Sequence, residues 1–254
     1  MTGLAAVGRY AFSTDEAAAA LGGSESAVRA ALRRLNARQV TATPVRGFHV
    51  VVPPEYRRLG CLPPEQFIPQ LMAKLGLSYY FGLLSAAQYH GAAHHRPQTA
   101  FVVVEKNREA IQCGAVRVAF VARKNAALMP TLSFNTPRGP VSVSSAEATA
   151  FDLVGYVAHV GGLDAVATVL ADLAERIDAN KLAALAPLAP LTWAQRLGHL
   201  LDIVGASDRT EPLAAIVERD ARDYVPLAPD GFCAATTRDR RWRILVNAEV
   251  EPEL

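Results

Sequence analysis

The stretch Ser13 to Asn36, STDEAAAALGGSESAVRAALRRLN, decides how this chain is read. Ser13 and Glu16 have capping-box spacing, so a hydroxyl and a carboxylate can each satisfy an orphan amide at a helix start. The short Ala-rich helix that follows is expected to end at Leu21-Gly22-Gly23, where glycine admits the left-handed conformation that stops a helix. Ser24 then caps a second helix, roughly Glu25 to Asn36. Its apolar residues Val28, Leu32 and Leu35 share one face. Ser26, Arg29, Ala30, Arg33 and Arg34 fall on or beside the opposite face.

Two β-rich runs come next, Gln39 to Thr43 and Phe48 to Val52. The linker Pro44-Val45-Arg46-Gly47 is predicted to carry the reversal between them, with turn chemistry in its Pro and Gly. Two helices joined by a tight Gly turn, then a hairpin, spell a winged helix-turn-helix. That fold lays its second helix in the major groove of DNA. The hairpin wing then reaches a flanking phosphate or the minor groove.

Charge points the same way. Residues 1–60 carry eight Arg, no Lys and four acidic residues, a net of +4, and the remainder carries 18 basic and 20 acidic residues, a net of −2. A basic module on a near-neutral body is the electrostatic footprint of a DNA reader. Arginine in place of lysine suits bidentate contacts to guanine or phosphate.

The whole-chain numbers bound the rest. At 254 residues, one large or two modest domains are expected, and an apolar fraction of 51% is ample for a core. No apolar run is long enough to span a membrane. The start, Met1-Thr2-Gly3-Leu4, lacks a basic n-region, so no secretory leader is expected and the location is read as cytoplasmic. Cys61, Cys113 and Cys233 are odd in number and widely spaced. They read as reduced thiols, neither a disulfide framework nor a zinc site.

Beyond the hairpin, Pro53-Pro54-Glu55-Tyr56-Arg57-Arg58 reads as an extended linker whose arginines can lie near phosphates. A helix is expected from Pro63-Pro64-Glu65 to Leu75, kinked at Pro69 or beginning only there. Tyr79 to His90 reads as a second helix. Strands are expected at Thr99–Val104, Val116–Ala122, Thr131–Asn135 and Gly139–Val143. Ser144 and Glu147 form another capping box, opening a helix to about Val160. Further helices are expected over Leu163–Ile177, Ala179–Leu185, Trp193–Val204 (capped by Thr192) and Pro212 to about Asp223, before a closing strand in Arg241–Asn247.

The run Tyr79-Tyr80-Phe81-Gly82-Leu83-Leu84-Ser85-Ala86-Ala87-Gln88-Tyr89-His90-Gly91-Ala92-Ala93-His94 resembles the AbiEi antitoxin family of bacterial abortive-infection systems. The resemblance extends to Arg46-Gly47-Phe48-His49 and Val52-Pro53-Pro54-Glu55-Tyr56-Arg57. It returns at Ser144 to Val154 and at Gln195 to Asp202. It implies an N-terminal winged helix that represses the protein's own operon in phage defence. It further implies a C-terminal domain that counters a nucleotidyltransferase-like toxin without needing a stable complex with it. The residues of antitoxicity do not carry over, because the matching segments look structural.

Other chemistry reads weakly. His90 and His94 have metal-ligand spacing on a helix, but Gly91 between them ends that helix, and His94-His95 read as local hydrogen-bonding groups. Ser85 with His90 lacks the strained Gly-x-Ser-x-Gly turn of a nucleophile. Glu147 and Asp152 fit a helix start better than paired catalytic carboxylates. Glu105-Lys106 follows a strand as in some nucleases, without an upstream acidic partner.

The expected fold class is therefore α+β: a winged helix-turn-helix over residues 1–58 and a mixed sheet-and-helix domain over residues 59–254. The expected function is that of a non-enzymatic antitoxin and repressor binding double-stranded operator DNA, with no cofactor and no metal. Ser24, Ser26, Arg29 and Arg33 would face the major groove, with Arg34 at its edge. Arg46 and His49 would act from the wing, Arg57 and Arg58 from the linker. An inverted repeat suits a monomer on each half-site as well as a preformed dimer. A nuclease-like enzyme and a protein-interaction module stay open as alternatives.

Overall fold

The computed structural model describes residues 8–22, 24–92, 98–229 and 237–253. Gly23, His94, His95 and Cys233, all used in the sequence reading, lie outside them. The build is mixed α and β, and the chain divides into two compact units. One holds residues 1–80, 98–127 and 133–142; the other holds residues 81–97, 128–132 and 143–254.

The first unit opens with β1 (Ala11–Ser13), α1 (Thr14–Leu21), α2 (Glu25–Ala37), β2 (Thr41–Val45) and β3 (Phe48–Val51). The strands pair in the order β1-β3-β2, all antiparallel. β1 escaped the sequence reading because three residues are too few to show alternation. Its Phe12 lies opposite His49 on β3. The turn is also tighter than expected. Pro44 and Val45 belong to β2, and only Arg46-Gly47 separates the paired Val45 and Phe48. A register shift between Ala42 and Val45 accommodates Pro44, since proline has no N–H to give a regular ladder.

Phe12, Ala17, Val28, Leu32 and Val51 form the core of this part, with Tyr10 and Ala18 packed against it. The stretch after β3 is not a plain extended linker. Pro53 is extended, but Pro54–Tyr56 turns as a 3-10 helix. A second 3-10 turn at Pro64–Gln66 precedes α3 (Ile68–Leu75), which begins beside Pro69 and stops at left-handed Gly76. The run Tyr79–Phe81 is a strand, β4, where a helix was expected. Three successive aromatics favour a pleated surface, and Gly82 breaks the chain before the Ala-rich helix begins.

Four strands of this unit are neighbours in the order β6-β7-β5-β4. β5 (Thr99–Val104) pairs in parallel with β7 (Val116–Ala122), Thr99 opposite Arg117 and Val104 opposite Ala122. β6 (Ile111–Cys113), unforeseen for the same reason as β1, runs antiparallel to β7. Phe101 to Val104 are buried in succession, as parallel pairing covered on both faces requires. The turn between β8 (Thr131–Thr136) and β9 (Gly139–Ser144) also contributes to this unit. There Arg138 stacks its guanidinium 3.3 Å from the Tyr10 ring centroid and donates to Gln66, which in turn donates to the Tyr56 hydroxyl at 2.8 Å.

The second unit is mostly helical. Phe81 at the end of β4 pairs with Val143 of β9. Then come α4 (Leu83–Tyr89), α5 (Ala146–Gly155), α6 (Val157–Val160), α7 (Leu163–Ala174), α8 (Ala179–Leu185), α9 (Leu191–Ile203) and α10 (Glu211–Asp220). The cap of α5 lies one residue later than expected. Ser145 Oγ accepts from the Ala148 amide. Ser144 instead shares a 2.7 Å hydrogen bond with the Thr149 hydroxyl, and the Glu147 carboxylate accepts from the Asp178 amide. Every residue from Ala146 to Val154 is buried. α9 starts at Leu191 after Pro190, so Thr192 is inside the first turn and does not cap it. A small sheet of β10 (Val225–Pro226), β12 (Ile244–Val246) and β11 (Thr237–Asp239), in that order, completes the unit.

Gly198 on α9 faces the buried Trp242 ring; a Cβ there would sit 2.2 Å from it. Alanine is the better helix former by about 1 kcal/mol. The clash should reverse that preference, so Gly198→Ala should lower stability by roughly 1–3 kcal/mol, measured by urea unfolding.

Candidate nucleic-acid interface

The helix pair of the first unit is built by local chemistry. Ser13 Oγ accepts from the Glu16 amide at 3.1 Å, and the Glu16 carboxylate accepts from the Ser13 amide at 2.7 Å. Together with the Arg9 guanidinium, these bonds hold the Glu16 carboxyl below the usual carboxylate range. Gly22 closes α1 in the left-handed conformation, donating to the Ala18 carbonyl at 3.1 Å. Ser24 caps α2 through the Ala27 amide and shares a 3.0 Å hydrogen bond with Ser26. Its hydroxyl is therefore engaged in capping, while Ser26 stands exposed on the first turn.

Val28 and Leu32 turn α2 towards the core, and Leu35 is only half-buried. Arg29, Arg33 and Arg34 are exposed, and so is Arg38 at the C-cap, which the sequence reading had not singled out. Arg38 was legible in principle, as the next cation one turn beyond Arg34. Arg29 pairs with Glu25 one turn earlier. Such exposed pairs are worth little, so Glu25 is a weak competitor for a phosphate. Arg33 and Arg34 make no side-chain ion pair among the described residues.

Behind the hairpin the Gly47 carbonyl accepts from the Thr14 amide at 3.3 Å and from Lys74 Nζ at 3.1 Å. These bonds fix the turn against α1 and α3 and leave Arg46 exposed at its tip. Arg57 and Arg58 are also exposed, following the 3-10 turn.

His49 is a correction. The sequence reading put it on the wing as a DNA contact, but its ring is 7% exposed and stacks on Phe12 at 5.4 Å. Both faces of β3 are covered: every residue from Phe48 to Val51 is buried. His49 Nδ1 lies 2.9 Å from Thr43 Oγ1 and Nε2 lies 3.0 Å from Thr14 Oγ1. Thr43 Oγ1 accepts from Asn36 Nδ2 at 2.8 Å, and the Asn36 carbonyl accepts from Thr41. Both ring nitrogens are therefore engaged by threonine hydroxyls, one on β2 and one on α1. One neutral imidazole ties α1, α2, β2 and β3 together. This network set the position of the two helices, and the sequence hid it because its five members span residues 14 to 49.

Burial, aided by the Lys74 charge, holds the His49 pKa below its ordinary value. Folding keeps the ring neutral, so its contribution is complete above the unfolded-chain value of about 6.5. It is lost as pH falls through the lower folded value. Burial lowers His90 likewise, against an opposing hydrogen bond to the Ser144 carbonyl. Unfolding free energy should therefore decline from pH 7 to pH 5, and His49→Gln should flatten part of that decline while lowering the plateau. An unchanged pH slope in His49→Gln would contradict the assigned role.

The surface assembled here is a set of exposed arginines on one helix face, one turn tip and one segment after the hairpin. It can bind anions by charge and by paired N–H donors. Ser85, Glu147 and Asp152, weighed above as catalytic candidates, are buried. Among the described residues no helix is long and apolar enough to cross a membrane.

The described residues make a mixed α+β protein. Residues 80–203 match the family model for the AbiEi antitoxin C-terminal domain. The match bears out the family resemblance and points to a toxin–antitoxin role. It does not reach the helix pair and hairpin. Of solved structures, the Rv2827c protein from Mycobacterium tuberculosis is similar over 96% of this chain and 88% of its own, with a TM-score of 0.67 and 17% identity. That likeness shows the fold alone. A nucleotidyltransferase-like antigenic protein from Paracoccidioides brasiliensis matches 57% of this chain and 91% of its own (TM-score 0.38, 13% identity). The antibiotic-resistance factor ANT(2'')-Ia matches 60% and 92% (TM-score 0.30, 13% identity). Both TM-scores are too low to carry an argument. No curated protein matches the chain.

Proposed function

We propose that the chain is the antitoxin of a type IV toxin–antitoxin pair that also represses its own operon, and that β1, α1, α2, β2 and β3 act as a winged helix on operator DNA. The observation that carries this reading is the outer face of α2. Arg29, Arg33 and Arg34 stand exposed there, on a helix held rigidly by the His49 network, with Arg46 at the tip of the adjoining hairpin. Ser26 and Arg33 would read base edges, with Arg29 and Arg34 beside them. Arg46, Arg57 and Arg58 would take phosphates. Ser24 would act through the cap it provides, and His49 by positioning.

Residues 1–58 are proposed as the DNA-binding domain and residues 59–254 as the antitoxin domain. The latter counters a nucleotidyltransferase-like toxin without a lasting complex and does no chemistry of its own. The antitoxin family supports the first part of that statement. The rest follows the resemblance read from the sequence.

The test is fluorescence anisotropy of the full chain on DNA from upstream of its own coding sequence, against shuffled DNA, over a salt series. Selective binding that weakens steeply with salt is the expected result. Equal, weak binding to both DNAs would remove the repressor reading and leave a protein partner for the basic face.

A further inference from the structure

In the first unit two distant segments pass each other at unusually short range. The Ala115 amide donates to the Leu59 carbonyl at 2.8 Å, and next to it Gly60 and Gly114 face one another. A Cβ built on Gly114 would lie 2.1 Å from the Leu59 carbonyl oxygen, and one on Gly60 would lie 3.2 Å from the Gly114 Cα. Both glycines are left-handed, at φ +68° and +60°. The segments run antiparallel, 59 beside 115 and 60 beside 114, so the next pair is Cys61 beside Cys113. The two thiols are close enough to interact, each shifting the other's pKa, that of Cys61 upward and that of Cys113 downward. Directly opposed residues of antiparallel segments have Cα separations of about 4.5–5.5 Å, inside the range a disulfide spans.

We propose that Cys61 and Cys113 are a peroxide-oxidisable dithiol, with Cys113 the thiol that meets the oxidant and Cys61 the one that closes the bond. Three observations assign the roles. Cys113 is half-buried, whereas Cys61 is fully buried. The Cys61 thiol and the Thr43 backbone on β2 both favour the Cys113 thiolate and pull its pKa down. Cys61, buried and facing Cys113, is pushed well up. The thiolate is the reactive form of cysteine, and exposure governs which thiol meets an oxidant.

The steps balance. The Cys113 thiolate attacks one oxygen of hydrogen peroxide, the O–O bond breaks, and a sulfenic acid forms. The departing hydroxide takes up the proton Cys113 had released and becomes water. The Cys61 sulfur then attacks the Cys113 sulfur; its proton joins the leaving hydroxyl as a second water. Two thiols are oxidised to one disulfide while one peroxide is reduced to two waters. The new bond links the segment after the hairpin to β6 beside Thr43, whose hydroxyl holds His49.

The test treats the reduced full chain with stoichiometric hydrogen peroxide, followed by non-reducing peptide mapping. The expected product is a monomer 2 Da lighter in which the peptides of Cys61 and Cys113 are linked and Cys233 stays free. In Cys61→Ser a dione probe should trap sulfenic acid at Cys113 at least tenfold faster than at Cys233. In Cys113→Ser, Cys61 should stay reduced. A link through Cys233, a link between two chains, or equal labelling of Cys113 and Cys233 in Cys61→Ser would overturn the proposal. Far-ultraviolet circular dichroism of each variant separates loss of the site from loss of the fold.

Discussion

Replacing Arg29, Arg33 and Arg34 together by alanine should weaken operator binding at least about 100-fold. A base-contacting arginine is worth roughly 1–3 kcal/mol, and about 1.4 kcal/mol is tenfold in affinity. The three residues are exposed on one face of α2, and only Arg29 has an ion-pair partner among them, Glu25. The fold should survive, because Val28 and Leu32, not the arginines, hold the helix to the core. The single variants sort the contacts. One that relaxes preference at a single base pair marks a reader of bases. One that weakens all sequences alike and lowers the salt slope by about one marks a phosphate contact. In cells the triple variant should lose repression and still protect against the toxin. Full binding in the triple variant would remove α2 from the interface.

Truncating Trp242 to alanine should be the most destabilising change in the helical unit, costing roughly 3–5 kcal/mol for loss of a large aromatic from a packed interior. The ring is 0% exposed. Its Nε1 donates to Asp202 at 2.6 Å, and the same carboxylate accepts from Thr210 at 3.2 Å and lies 3.5 Å from Arg241. Removing the ring leaves a void over Gly198 and takes a donor from Asp202. Trp242→Phe separates the two effects: it retains most of the volume and loses the hydrogen bond, which is worth about 1.5–3 kcal/mol to a charged group. Thermal unfolding of both variants checks the ranking. A Trp242→Ala loss below about 1 kcal/mol would mean that the ring does not hold this unit together.

Much of the fold was legible where local chemistry decides it. The capping box at Ser13 and Glu16, the stop at Gly22 and the cap at Ser24 are written in adjacent residues, and each appears as read. Strands β5 and β7 were readable from continuous runs of β-branched and aromatic residues. Features set by distant partners were not. Strand β1 exists because β3 lies beside it, and β6 because β7 does. The Tyr79–Phe81 run reads as helix by its neighbours and becomes strand by its pairing. For the candidate site, the exposed arginines followed from helical periodicity. His49 did not, because a histidine in a hairpin carries no sign of which face will be covered. Gly198 carried no sign either, since Trp242 comes 44 residues later.

Arg138 stacked on Tyr10 and tied through Gln66 to Tyr56 has a consequence for how such proteins diversify. The first 58 residues are not a cassette. A chimera joined at residue 58 would set a foreign Tyr10 and Tyr56 against the resident Arg138 and Gln66, and would inherit a seam that neither parent was selected to fill. New operator preference is reached more cheaply by changing the outward residues of α2 one at a time, because among the described residues their side-chain partners, Ser24 and Glu25, lie at the start of the same helix. In a lineage of relatives, that helix face should drift quickly while the residues around Tyr10 change only in concert.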